Sequence, residues 1–134
     1  MGNKKIKFII VDDSELDCFI AEKLVRHSGI STEIKSFYQA STALDYIKES
    51  NVSEDCCTII LLDILMPLMN GMEFVEEFER LPEYIREKFI IVAFTSSMNQ
   101  KDKGTMESYK SVKLLFDKPL SPEVFPMLLE HCDC

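Results

Sequence analysis

Five short apolar runs, each followed by a stretch of helical spacing, constrain the fold of this chain more than any other feature. Residues 5–11 (KIKFIIV), 32–37, 58–62 (TIILL), 89–94 (FIIVAF) and 112–116 are rich in β-branched and aromatic residues and read as strands. The run 58–62 shows no polar alternation, which suits a central strand of a parallel sheet covered on both faces. Between the runs, apolar residues recur at i, i+3, i+4 and i+7. Ala40, Ala43, Leu44 and Ile47 mark a second helix, and Phe74, Val75, Phe78 and Leu81 a third that begins near Gly71. In the first helix, residues 14–27, the expected inward face is Leu16, Phe19, Ile20 and Leu24. Ser14 and Asp17 form a capping-box pattern there, and Gly29 ends the helix. Residues 99–109 read as a polar fourth helix. Ser121 is the expected cap of the last helix, with Pro122 at its first position and Val124, Phe125, Leu128 and Leu129 inward. Pro126 lacks a backbone donor and should leave that helix start irregular. Strand–helix alternation repeated five times predicts an α/β fold: a five-stranded parallel sheet with helices on both faces and right-handed crossovers.

Composition narrows the function. A chain of 134 residues suits a single domain, and a hydrophobic fraction of 46% is enough for an ordinary core. The net charge is −8. Acids and bases are spread evenly, so no clustered Lys and Arg are available for phosphate contacts, and nucleic-acid binding is not expected. No apolar run approaches the ~20 residues that cross a bilayer. The five cysteines are odd in number and irregular in spacing, which suggests no disulfide framework and fits a cytoplasmic protein. The ending His131-Cys132-Asp133-Cys134 has metal-ligand residues but nothing to close a cage around an ion. Met66, Met69 and Met72 read as packing residues.

In open α/β sheets the site lies beyond the carboxyl ends of the strands. The first strand here ends in Asp12-Asp13, the third in Asp63, the fourth in Thr95 and the fifth in Lys118-Pro119. Three carboxylates, a hydroxyl and an ammonium thus converge on one rim. Carboxylates a few ångström apart repel unless a cation lies among them. All-oxygen ligands with room for water suit Mg2+, with Mn2+ as a substitute. A carboxylate beside such an ion can act as a nucleophile toward phosphorus. Lys118 would add positive charge, and the Thr95 hydroxyl would hydrogen-bond the phosphoryl oxygen.

The combination of Asp12-Asp13, Asp63 within DILMPLMNG, Thr95 and Lys118-Pro119 resembles the receiver domain of bacterial response regulators, over about residues 5–131. The resemblance implies a flavodoxin-like three-layer α/β/α sandwich with strand order 2-1-3-4-5. It implies that Asp63 accepts the phosphoryl group and that Asp13 and Asp12, with Asp63 and the backbone carbonyl of Leu65, hold Mg2+. Thr95 and Lys118 would sense the phosphate, with Ser96 and Pro119 beside it. It implies a phosphohistidine donor on a sensor histidine kinase or histidine phosphotransfer protein. The output face would be the fourth helix, fifth strand and fifth helix. About 14 residues follow Leu120, enough for one helix, so a single receiver domain over residues 1–134 without an output domain is expected, read by a separate protein.

The chain departs from the family at three positions. Leu115 stands where many relatives carry an aromatic that changes rotamer on phosphorylation, and Phe116, next to it, should face the other side of the sheet. Ser96 stands where alanine is common. Leu65, two residues past Asp63, is apolar where a polar residue is usual, and could obstruct the attacking water. Leu65→Asn is therefore expected to shorten the phosphoryl lifetime; equal decay rates for the two proteins would remove the idea.

Three other readings compete. An aspartate-nucleophile phosphatase of the haloacid-dehalogenase type needs a second carboxylate two residues after the nucleophile, and Leu65 cannot serve. A flavodoxin-like cofactor site would place a phosphate where Asp12, Asp13 and Glu15 repel it. A pseudo-receiver, a docking module never phosphorylated, remains as the alternative. The expected role is a signalling switch that catalyses only its own phosphorylation and dephosphorylation.

Overall fold

The computed structural model of the protein describes residues 5–30, 33–49, 56–64, 69–95, 100–117 and 120–130. In chain order the elements are β1 (Lys5–Val11), α1 (Glu15–Ser28), β2 (Glu33–Phe37), α2 (Ala40–Lys48), β3 (Cys56–Asp63) and α3 (Gly71–Glu79). They continue with α4 (Glu83–Arg86), β4 (Phe89–Thr95), α5 (Gln100–Ser108), β5 (Val112–Asp117) and α6 (Val124–Leu129). The strands form one parallel sheet in the order β2-β1-β3-β4-β5, as the family resemblance implied.

Strand side chains alternate between two cores, which is why the continuous apolar runs are needed. Ile9, Val11, Ile60, Leu62, Ile91 and Ala93 point to one face and meet α2, α3 and Met106 of α5. Phe8, Ile10, Ile59, Leu61, Val92 and Phe94 point to the other and meet α1 and α6. Two apolar layers of helices therefore flank the sheet. Leu115 packs into the first core and Phe116 into the second, the opposed directions expected of neighbours on a strand. An irregularity in the β4–β5 register, with Ile91 opposite Val112 but Val92 opposite Leu114, leaves Lys113 as an extra residue.

The structure corrects the first helix. Its buried stripe is Cys18, Ala21 and Val25, while Leu16 is 66%, Phe19 56% and Ile20 42% exposed; Leu24 is only partly buried. Small side chains let α1 lie close against the sheet, so the bulky apolar stripe beside them is rotated outward. Helical spacing alone cannot choose between two overlapping stripes. Ser14 Oγ accepts from the Asp17 N–H at 3.1 Å, and Gly29 ends the helix at φ 75, as expected. The Ser14 N–H donates to Asp12 Oδ1 at 2.9 Å, which couples the cap to the end of β1.

The last helix also differs. It begins at Val124, not at Pro122, and Ser121 caps nothing there: its Oγ donates to Glu123 Oε2 at 2.7 Å. Val124 N and Phe125 N donate to the Ser121 and Pro122 carbonyls, a tight turn that leads into the helix. Pro126 falls within the first turn, where its missing N–H costs no helical bond. Val124, Phe125 and Leu128 are buried, but Leu129 is 41% exposed. The one-turn α4 between α3 and β4 was not legible in the sequence.

Two α3 carboxylates hold the α5–β5 turn. Tyr109 Oη donates to Glu76 Oε2 at 2.8 Å, and the Ser111 N–H donates to Glu79 Oε2 at 3.0 Å. Burial, reinforced by the bond to Glu76, pushes the Tyr109 phenol up to about 12 from 10.0. The folded state thus favours the protonated phenol. Its contribution to stability is complete below about pH 10 and is lost as pH rises toward 12. Urea midpoints of wild type and Tyr109→Phe should therefore draw together across that window. A gap that stays constant from pH 8 to 11.5 would contradict the coupling.

Candidate functional site

The order β2-β1-β3-β4-β5 makes β1 and β3 neighbours although α1, β2 and α2 lie between them in sequence. Crossovers leave this pair in opposite directions, and the crevice beyond its carboxyl ends is the binding position of an open α/β sheet. Val11 pairs with Leu62, so the next residues of the two strands emerge side by side. They are Asp12 and Asp63. Oxygen atoms of Asp12, Asp13 and Asp63 all lie within 4.8 Å of one another. Asp12 is 6% and Asp63 7% exposed, whereas Asp13 faces solvent. Two carboxylates thus form the floor of a negative cluster and the third its open side.

The backbone around these acids is held on several sides. The Asp12 N–H donates to the Phe37 carbonyl of β2 at 3.0 Å, and the Asp12 carbonyl accepts from Cys18 Sγ at 3.3 Å. On the other strand the Ile64 N–H donates to the Phe94 carbonyl at 3.1 Å, and the Gly71 N–H to the Ile64 carbonyl at 2.8 Å. Asn70 and Glu73 then close a reciprocal capping box at the start of α3, at 2.9 and 3.0 Å. A site built on strand ends and pinned in this way keeps its geometry better than one on a free loop.

Gly71 makes that close approach feasible. A Cβ there would stand 2.6 Å from Ile64 Cα and 3.2 Å from the Asp63 carbonyl oxygen, both backbone atoms that cannot swing aside. The sequence placed Gly71 near the start of the third helix but did not reveal this contact, and it gave Cys18 no role. The only hint for Cys18 is its position one turn beyond the acidic pair.

Thr95 ends β4 and is fully buried; Phe94 before it is opposite Asp63. The structure therefore brings Asp12, Asp13 and Asp63 together and sets Thr95 on the adjoining strand end. Lys118, Pro119, Ser96 and Leu65 lie outside the described residues, as do residues 131–134. Among the described residues the three aspartates are the one group of His, Cys, Asp and Glu side chains close enough to share an ion. Their donor set is all oxygen, which fits a hard divalent cation such as Mg2+ and not a thiolate- or imidazole-bound metal. No described helix is long and apolar enough to cross a membrane.

Comparison with known proteins agrees with this geometry. The family described as response regulator receiver domain matches residues 8–128. A response regulator receiver protein from Dyadobacter fermentans shares 33% identity at a TM-score of 0.82, covering 93% of this chain and 95% of its own. A two-component response regulator from Cytophaga hutchinsonii is similar in fold at 24% identity and a TM-score of 0.84, over 95% and 96% of the two chains. The chemotaxis protein CheY4 of Vibrio cholerae is 21% identical with a TM-score of 0.74, over 94% and 97%. No curated protein matches the chain. The chain belongs to the response regulator receiver domain family.

Proposed function

We propose that this receiver is a phosphoacceptor switch: Asp63 takes a phosphoryl group from a phosphohistidine on a sensor kinase or phosphotransfer protein, and the change alters what the domain binds. The observation that carries this reading is the convergence of Asp12, Asp13 and Asp63 at the β1–β3 crevice. Asp12, Asp13 and Asp63, with the Leu65 carbonyl, would hold Mg2+ or Mn2+. That ion, when bound, supplies the positive charge that lets three carboxylates share one pocket.

The protein's own residues do the rest. An Asp63 carboxylate oxygen attacks phosphorus while the P–N bond to the donor imidazole, protonated on its other ring nitrogen, breaks, leaving an acyl phosphate on Asp63 and a neutral histidine on the donor. Lys118 offsets charge on the phosphoryl oxygens, and Thr95 offers its hydroxyl to one of them, with Ser96 and Pro119 shaping the surroundings. Water later returns Asp63 to the carboxylate. No external small molecule is turned over, so we regard the protein as a switch and not as a conventional enzyme, working in the cytoplasm beside its kinase. Its readout, by a separate protein, would use the face formed by α5, β5 and α6. Incubation with acetyl phosphate and Mg2+, followed by intact mass, tests the reading: one added phosphoryl group is expected, and none would leave the pseudo-receiver alternative standing.

The exposed ridge on α1 supports a protein donor. Leu16, Phe19 and Ile20 stand at i, i+3 and i+4, and Ile20 lines the same crevice as Asp12 and Asp63. A donor histidine that reaches Asp63 must bring its own surface across this rim. An apolar helix face with flanking basic residues, opposite Glu15, Asp17 and Asp13, is the complementary partner. Replacing Leu16 and Phe19 by serine should cut transfer from a phosphorylated histidine phosphotransfer domain at least tenfold. Modification by acetyl phosphate should be unchanged, and stability should move by no more than about 0.5 kcal/mol, since both side chains are exposed. A parallel loss with both donors would refute the docking role.

A further inference from the structure

The side chains that flank the phosphate-sensing residues gather on the α1–α6 side of the sheet, opposite α5. Phe94 precedes Thr95, and Phe116 and Leu120 stand two residues to either side of Lys118 in sequence. Phe94 and Phe116 stack at 5.6 Å between ring centroids with an interplanar angle of 28°. All three pack into the core on the α1–α6 side. Leu115, at the position where an aromatic would signal through the α5 side, is aliphatic and packs into the opposite core.

Beside this group lies the crevice at the ends of β1 and β3, about 110 Å³ in volume and open to solvent on one side. Ile20 and Ala21 of α1, Leu61, Phe94 and Leu120 line it, together with Asp12 and Asp63. Its lining is mostly apolar, so side chains that close over it would remove apolar surface from water. Space in this crevice, beside the acceptor carboxylate, gives the Phe94 ring and Leu120 somewhere to go. Filling it would gain dispersion contacts, so two packings of the same residues can lie close in energy.

We propose that the phosphorylation state of Asp63 is transmitted through the Phe94–Phe116 ring pair and Leu120 to the α1 face, where the crevice is repacked beneath Ile20 and Ala21. The inference rests on Asp63 as the phosphoacceptor. A phosphoryl group on Asp63 attracts Thr95, and Phe94, next to it on β4, moves with it and carries the stacked Phe116 ring along. Repacking around Ile20 then changes the shape of the surface that Leu16, Phe19 and Ile20 present.

Methyl NMR with beryllium fluoride and Mg2+, a stable phosphoryl mimic, tests this. Intact mass after acetyl phosphate treatment is run first on each variant, so that a failure of phosphorylation is distinguished from a failure of transmission. In wild type, the methyls of Leu16, Ile20, Ala21 and Leu120 should shift on addition of the mimic. Phe116→Leu, at a half-buried position, should retain phosphorylation yet reduce those shifts at least twofold. Leu115→Ala, on the other face, should leave them in place. Phe94→Leu repeats the test from the second ring if Phe116→Leu disturbs folding. Unchanged shifts in the ring variants, or equal suppression by Leu115→Ala, would overturn the proposal.

Discussion

Replacing Asp63 by alanine is expected to abolish phosphoryl incorporation from acetyl phosphate, with no other residue taking over. Asp12 is equally buried but its Oδ1 already accepts the Ser14 N–H, and Asp13 faces solvent. Asp63 alone ends β3, the strand between β1 and β4, and the residue after it is tied to β4. Intact mass decides the matter: phosphoryl mass retained in Asp63→Ala would move the acceptor elsewhere. The conservative Asp63→Asn variant carries a second, separable expectation. Like charges about 5 Å apart at an effective dielectric between 20 and 80 repel by roughly 1–3 kcal/mol. In Mg2+-free buffer Asp63→Asn should therefore raise the unfolding free energy by an amount on the order of 1 kcal/mol. Saturating Mg2+ should remove that advantage, because the ion stabilises only the wild-type cluster. A variant less stable than wild type in chelator would show that the three acids do not repel as their spacing requires.

Gly71→Ala should be the most damaging single-methyl change near the site. The added Cβ meets the Ile64 Cα at 2.6 Å and the Asp63 carbonyl at 3.2 Å. Neither is the end of a flexible side chain, so the strand end or the start of α3 has to move. Overpacking of this kind costs about 1–3 kcal/mol. For a domain of this size that lowers the thermal midpoint by roughly 4 °C per kcal/mol. Because the displaced residues are Asp63 and its neighbour, phosphorylation by acetyl phosphate should slow as well. Gly104 provides the control. It lies within α5 with nothing within 4 Å of an added Cβ. Gly104→Ala should stabilise by about 0.5–1 kcal/mol through helix propensity alone. If the two substitutions behave alike in thermal melts, the close contact at Gly71 is without consequence.

Much of the molecule is legible in its sequence. The uninterrupted apolar run at residues 58–62 announced a strand buried on both faces, and Ile60 and Leu62 do alternate with Ile59 and Leu61 between two cores. Ala40, Ala43, Leu44 and Ile47 are all buried, because in α2 just one stripe was apolar. The acids at the ends of β1 and β3 were legible for the same reason. Parallel order forces strand ends to one rim, so residue type and strand position together define a site.

The sequence by itself determined the alternation of strands and helices and the placing of Asp12, Asp13 and Asp63 on one rim, since both follow from periodicity and from the parallel direction of the strands; that β1 and β3 are neighbours was implied by the family resemblance and is set by the tertiary structure. Only the tertiary structure decided which stripe of α1 faces inward, where α6 begins and how tightly Gly71 abuts Ile64. Those are questions of distance and volume. Spacing along a chain records where apolar residues recur, but it does not record how near two elements can come once small side chains let them close.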